Sequence, residues 1–198
     1  MTPTKEPTPQ RVACGDLFGF VSFSAISLAD ANRCLSEWGH KMGPLARGNQ
    51  GAICHALTHN GHAVAVTTAS ILIAPTVGGG CNWMTRDNTI ELSRLCAVRG
   101  GLCRVALRLW REFVFGSLTY DYAVSYQDSC LHTGNTYRFD GWLRVGYSHS
   151  GTDTRSQRPG RDKYVWQWPP TIPNPNVRVL LRAKLNGNWQ EVVWLMAR

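Results

Sequence analysis

Leu131 to Tyr147 read LHTGNTYRFDGWLRVGY. Thr133, Gly134 and Asn135 make a polar opening with free backbone donors, Tyr137 follows within the first helical turn, and Gly141-Trp142 end the helix ahead of an apolar strand. The pattern is Asn-x-Tyr-x-x-x-Gly-aromatic. A tyrosine fixed in the first turn of a short helix is aimed at one place, although a ring that packs while its hydroxyl reaches water satisfies the same pattern.

Upstream, Thr89 to Val98 read TIELSRLCAV, a strand, followed by Arg99-Gly100-Gly101 and a periodic helix. Leu102, Val105, Ala106, Leu109, Trp110 and Phe113 fall at helical spacing and predict one apolar stripe, with Arg104, Arg108, Arg111 and Glu112 facing away. A strand, a glycine turn and a helix N-terminus together present backbone N–H groups and a positive dipole end to a phosphate.

The Tyr137 motif resembles the cofactor-side helix of the GNAT acyltransferases, in which the equivalent tyrosine protonates the departing coenzyme A thiolate. The resemblance implies that the Arg99-Gly100-Gly101 turn takes the coenzyme A pyrophosphate, with Cys96, Val98, Arg104 and Asn135 as further cofactor contacts. This turn departs from the usual GNAT signature, since its glycines come early and Leu102-Cys103-Arg104 follow. Taken in order, ELSRL, LCRVALRLWREF, YAVSYQD and HTGNTYRFDGW resemble the phage Mom family over residues 28–168. That resemblance implies an enzyme that adds a carbamoylmethyl (acetamido) group to the exocyclic amine of adenine in double-stranded DNA and so shields phage DNA from host restriction. Acetyl-CoA is the implied donor. Because the new bond would join nitrogen to a methyl carbon, an iron-assisted route is also open, although no ligand spacing fixes a metal site.

The expected fold class is α/β (α+β): a GNAT-like mixed central sheet flanked by helices, splayed between the Glu91 strand and the Tyr126 strand. Residues 1–11 carry three prolines and read as a mobile tail, leaving 12–198 as one domain. The formal charge of +8 suits a polyanionic partner. Seven scattered cysteines without a CxxC pair argue against a disulfide framework. No apolar run is long enough to span a membrane, and the opening MTPTKEPTPQR lacks a signal peptide's apolar core, so the expected location is the cytoplasm of a bacterial host.

Along the chain, Leu17 to Ser24 predict a first strand. Ser27 to Asp30 start a helix whose buried face would be Ala31, Cys34, Leu35, Trp38 and Met42. GAICHALTHNGHAVAVTT predicts a hairpin about Asn60-Gly61, pairing His59 with His62, Leu57 with Val64 and His55 with Val66. Its histidines match no zinc spacing. Gly78-Gly79-Gly80 lacks the Gly-Lys-Ser/Thr ending of a P-loop and reads as a crossing loop. Strands are expected at Tyr120 to Tyr126 and Lys163 to Trp168, and a last hairpin about Asn186-Gly187-Asn188 reads as an extension of the sheet.

Transfer to an amine needs a base, a proton for the leaving group and a place for the acceptor. Glu91 and His40 are the candidate bases; an arginine partner for Glu91 and a helix-dipole role for His40 are the bland alternatives. Asp128 would orient the adenine amine and Tyr126 would stack on a base, unless its ring is core. Trp38, Tyr126, Tyr137 and Trp142 are the candidate aromatic walls for a flipped nucleobase. Arg155, Arg158, Arg161 and Lys163 are the expected DNA-backbone contacts. An ordinary GNAT enzyme acting on a small amine or protein lysine, and a noncatalytic DNA-binding module, are the rival readings.

Overall fold

Ser27 caps the first helix as its sequence predicts: its Oγ accepts from the Asp30 N–H at 3.0 Å, and the chain turns helical at Leu28. The computed structural model describes residues 21–46, 51–148, 162–172 and, as backbone alone, 180–185 and 188–193. The proline-rich tail, the beginning of the first strand and Arg155, Arg158 and Arg161 lie outside the described residues.

The elements run β1 (Val21–Ala25), α1 (Leu28–Glu37), β2 (Ile53–His59), β3 (His62–Ile71), β4 (Thr89–Ala97), α2 (Gly100–Leu109), β5 (Tyr122–Asp128), α3 (Asn135–Phe139), β6 (Leu143–Ser148), β7 (Lys163–Trp168), β8 (Leu180–Leu185) and β9 (Asn188–Val193). The first seven strands form one sheet in the order β1-β2-β3-β4-β5-β7-β6, in which only β4 and β5 pair in parallel. β8 and β9 pair with each other across residues 186 and 187 as a separate two-stranded sheet, so this hairpin does not extend the main one.

Asn60 and Gly61 both take positive φ, 51° and 81°, which makes the tight turn the hairpin needs. His59 pairs with His62, but a register shift between Leu57 and Thr58 moves the later pairs to Leu57 with Ala65 and His55 with Thr67. An extra residue at such a bulge cannot be read from strict alternation.

One face of the sheet is covered by α1, whose Cys34 and Leu35 pack on Ala56, Val66 and Cys96. Met42 lies past the end of α1 and is exposed. On the same face, farther along, Val77, Cys81 and Met84 cover Val124, Val145 and Val165. The glycine-rich segment is therefore a crossing loop, as expected. It lies so close to β6 that a Cβ on Gly79 would meet the Tyr147 carbonyl oxygen at 2.9 Å.

α2 covers the opposite face, with a different stripe from the expected one. Ala106, Leu107, Trp110 and Val114 are buried, whereas Val105 and Phe113 are 46% and 69% exposed. The helix widens to π-helical geometry at Trp110–Val114 and tightens again at Phe115–Ser117. That wider turn delays Phe113 past the core-facing angle and brings Val114 in instead. Arg111 does not face away either: its side chain is 10% exposed and folded inward onto Asp140. No helix among the described residues is long and apolar enough to cross a membrane.

Candidate active site

β4 and β5 hydrogen-bond through Thr89 with Tyr122, Ile90 with Ala123 and Glu91 with Val124, and no farther. Each strand then follows its antiparallel neighbour. β5 stays paired with β7 through Asp128, while β4 carries a register shift against β3 between Thr68 and Ala69, which leaves Ser93 as the extra residue and bends the strand. The expected splay between the Glu91 and Tyr126 strands is thus present, and Leu92 to Ala97 and Ser125 to Asp128 become the two walls of an open slot of about 340 Å³.

Tyr137 enters the slot from α3. Gly134, at φ 75°, starts that helix without a side-chain cap, and Gly141, at φ 84°, follows its end. Trp166 stacks on the Tyr137 ring at 5.6 Å and Trp142 meets its edge at 5.6 Å. Its hydroxyl is 2.8 Å from Ser125 Oγ. Burial pushes the phenol up to about 12, against the Ser125 hydrogen bond, so at neutral pH Tyr137 carries its proton.

The loop before α3 is held by Gln127. This buried side chain accepts from Trp166 Nε1 at 2.8 Å and donates to the His132 carbonyl at 2.5 Å. Asp128 Oδ1 accepts from the N–H groups of Cys130 and Leu131 at 2.9 and 3.1 Å, which caps the turn leaving β5. The structure therefore gives Asp128 a turn-forming task at the slot's rim.

The loop after α1 closes the other side with Trp38, His40, Lys41 and Met42. His40 Nδ1 accepts from the Met42 N–H at 3.3 Å, which puts the ring proton on Nε2 and makes that nitrogen a donor. Burial first, then Arg94 and His132, bring its pKa down to about 4. Arg94 ties this loop to β4, its Nε donating to the Gly43 carbonyl at 3.2 Å. Glu91 is half-buried; desolvation raises its pKa, with Arg94 and Lys163 pulling the other way. Arg94 is thus the arginine neighbour foreseen for Glu91. Tyr126 is pushed up to about 12 by burial, with Glu91 and Cys81 adding to it.

A second groove, about 490 Å³, runs along α2 and α3 between Gly100, Gly101, Arg104, Arg108, Asn135 and Phe139. No side chain caps α2, and a Cβ built on Gly100 or Gly101 would meet nothing within 4 Å. The backbone at this helix start is open to a ligand, where the dipole and first-turn N–H groups favour an anion. Arg104 and Arg138 both stand near the Phe139 ring, at 5.8 and 4.6 Å. Val98 gives its N–H to the Val64 carbonyl and Cys96 lines the slot. Groove and slot share Asn135 and Thr136, so the two adjoin between the α2 N-terminus and Tyr137.

Of the expected site residues, the structure brings His40, Tyr126, Asp128, Tyr137, Cys96 and Asn135 to the slot, while Gly100, Gly101 and Arg104 line the groove that joins it. Glu91 lies just before the fork opens, and Lys163 sits on β7 opposite Asp128. Trp142 is not a cleft wall: it is 4% exposed, with Nε1 donating to Asp140 at 3.2 Å. Ser125, Gln127 and His132 were not assigned roles from sequence. For Ser125 and Gln127 the usable signal was a polar residue at alternate positions inside an otherwise apolar strand.

No protein-family model and no curated protein matches the sequence. Solved structures do match in fold. The ribosomal-protein-S18-alanine N-acetyltransferase from Escherichia coli superposes with a TM-score of 0.55 at 14% identity, over 80% of this chain and 99% of that one. Arabidopsis thaliana NAA60 in complex with acetyl-CoA gives 0.54 at 12% identity, over 75% and 97%. The IAA acetyltransferase from Bacillus cereus gives 0.53 at 13% identity, over 74% and 97%. Together with the seven-stranded mixed sheet and its fork, these similarities define the fold as GNAT-like.

Proposed function

We propose that this protein transfers an acyl group from an acyl-CoA to an amine, and that its acceptor is the exocyclic amine of adenine in DNA. The observation that carries the first part is that the groove at the uncapped α2 N-terminus and the slot holding Tyr137 inside the sheet fork adjoin at Asn135 and Thr136. The residues present fit acetyl-CoA: Arg99, Gly100, Gly101 and Arg104 would hold its phosphates, Asn135 would bridge to the slot, and Cys96 and Val98 would border the arm that enters it. Bound there, the cofactor supplies an activated acyl group on a thiol leaving group. Tyr137 gives the leaving sulfur its proton. Among the described residues no three His, Cys, Asp or Glu side chains gather as a metal site, so the iron-assisted route has no proposed ligands.

The acceptor assignment rests on the order of motifs shared with the Mom family and on the far side of the slot, where Trp38 and Tyr126 offer flat walls to a nucleobase. His40 would donate through Nε2 to a ring nitrogen. Glu91, a carboxylate already raised by burial, would take the amine proton, and Asp128 would orient the amine from the rim. The net charge of +8 fits a DNA partner held through Arg155, Arg158, Arg161 and Lys163. A second reading, transfer to a peptide or small amine, is favoured by the acceptors in the names of the structural neighbours.

Mass spectrometry of nucleosides from cells producing the protein tests the assignment. A modified deoxyadenosine that disappears with Tyr137→Phe, at equal protein level, is the expected result, and its mass distinguishes an acetyl from a carbamoylmethyl group. In vitro, Tyr137→Phe lowers turnover about 100-fold while retaining acetyl-CoA binding. Unmodified DNA with an acetylated peptide or polyamine supports the second reading; DNA binding with no product at all supports a noncatalytic module.

A further inference from the structure

Ser125 occupies the point where the sheet forks. It is the first residue of β5 past the last backbone pair, as Leu92 is the first of β4, and it is 2% exposed. Its Oγ lies 2.9 Å from the Leu92 carbonyl oxygen and 2.8 Å from the Tyr137 hydroxyl. A serine has one hydroxyl proton and a carbonyl only accepts. Ser125 therefore donates to Leu92, and Tyr137 donates to Ser125. The hydroxyl bridges the two strands where their ladder ends and at the same time fixes the direction of the phenol.

A phenolate at Tyr137 would sit between Trp142 and Trp166, surfaces that cannot solvate a charge. The hydroxyl beside it can, because rotation about the Ser125 side-chain bonds swings its proton from one acceptor to the other. We propose that Ser125 is a positioning residue for Tyr137, holding its O–H in the resting site and turning from the Leu92 carbonyl to donate to the phenolate once Tyr137 has given its proton away. The inference rests on the acyl-transfer reading. In that step the acyl carbon–sulfur bond breaks with its electron pair going to sulfur, and the Tyr137 proton completes the thiol. The new carbon–nitrogen bond forms with loss of the amine proton to a base, and solvent restores the phenol. The Ser125 hydrogen bond works against the burial that raises Tyr137, the direction that stabilising a phenolate requires.

The test is ¹⁹F NMR of the full chain with its tyrosines replaced by 3-fluorotyrosine, which acidifies the phenol into an accessible range. The Tyr137 signal is the one that Tyr137→Phe removes. Ser125→Ala is expected to raise the Tyr137 titration midpoint by about one pH unit or more, and Ser125→Thr to restore it. Unchanged signals from the other fluorotyrosines establish that the variant is folded; if Ser125→Ala does not fold, Ser125→Cys, a weak donor, is expected to give the same upward shift. A midpoint unmoved in the folded donor-deficient variant overturns the assignment. Calorimetry with acetyl-CoA separates the two ideas: no binding by the parent chain overturns the acyl-transfer reading and the catalytic role with it, whereas binding alongside an unmoved midpoint overturns only the role of Ser125.

Discussion

Burial moves the His40 pKa down and the Glu91 pKa up, in both cases favouring the neutral form, and each leaves a signature in stability. The His40 pKa is near 4 in the folded chain against an ordinary 6.5, so between those values the unfolded chain takes up a proton that the folded one refuses. Stability from this residue is whole above pH 6.5 and is lost as pH falls toward 4. Glu91, raised from 4.5 by burial, behaves as the reverse: its contribution is whole below that value and is lost as pH rises through the folded pKa. We therefore expect His40→Gln to flatten the fall of the urea midpoint between pH 6.5 and 4, and an unchanged slope would show that the imidazole titrates normally. Gly134 makes a sharper demand. At φ 75° an added Cβ would collide with the Gln127 carboxamide and lie 2.8 Å from Trp166 Cζ2, both held by hydrogen bonds. Gly134→Ala should cost about 2 to 3 kcal/mol in denaturant unfolding. Gly100→Ala, facing open space, should leave stability level or raise it by about 0.5 to 1 kcal/mol while weakening acetyl-CoA binding, read by calorimetry.

α2 and α3 are joined through one buried carboxylate. The Asp140 side chain is 0% exposed; it accepts from Arg108 Nε at 3.1 Å and Trp142 Nε1 at 3.2 Å. Arg111 Nε stands 3.4 Å away, an ion pair whose angle falls short of a hydrogen bond, and the Arg111 guanidinium lies 4.1 Å above the Trp168 ring. Removing the charge would leave the nearly buried Arg111 with only the exposed Glu112, at 2.6 Å, as its counterion. Asp140→Asn should therefore destabilise by about 3 kcal/mol, measured by urea unfolding. Because the same contact holds the helix that carries Tyr137 against the helix that opens the groove, the variant should also broaden the Tyr137 signals in NMR. A loss below about 1 kcal/mol would mean that solvent already screens the pair.

For the whole molecule, the slot is a consequence of sheet topology: one parallel pair among antiparallel ones, with a bulge on β4 that turns it away from β5. The proposed DNA contacts at Arg155, Arg158 and Arg161 are distinct residues from those lining the cofactor groove, so their charge can be altered alone. Replacing Arg155, Arg158 and Arg161 with Ala is expected to flatten the log–log salt dependence of DNA binding by about three units and to leave acetyl-CoA binding untouched. A slope equal to that of the parent protein would move the DNA path to another surface.

Much of this fold was legible locally, because local rules wrote it. The Ser27 cap, the Asn60-Gly61 turn, the strands through Glu91 and Tyr126, and the glycine-opened, tyrosine-bearing helix are short-range signals, each set by backbone dihedrals and alternation within a few residues. The Tyr137 and Gly100-Gly101 motifs likewise pointed to the slot and the groove. What periodicity could not supply was phase. A single extra residue at Val64, opposite Leu57 and Thr58, or at Ser93 shifts every later partner, and the wide turn at Trp110–Val114 buries Val114 in place of Phe113, while in the regular helix before it Leu107 is buried and Val105 is exposed. Nor does the sequence tell a tryptophan that walls a cleft, such as Trp38, from one that closes a core, such as Trp142. Those choices belong to the tertiary structure, since the bond between Ser125 and Tyr137 and the ion pair between Arg111 and Asp140 exist only where packing and sheet topology bring distant segments within hydrogen-bond range.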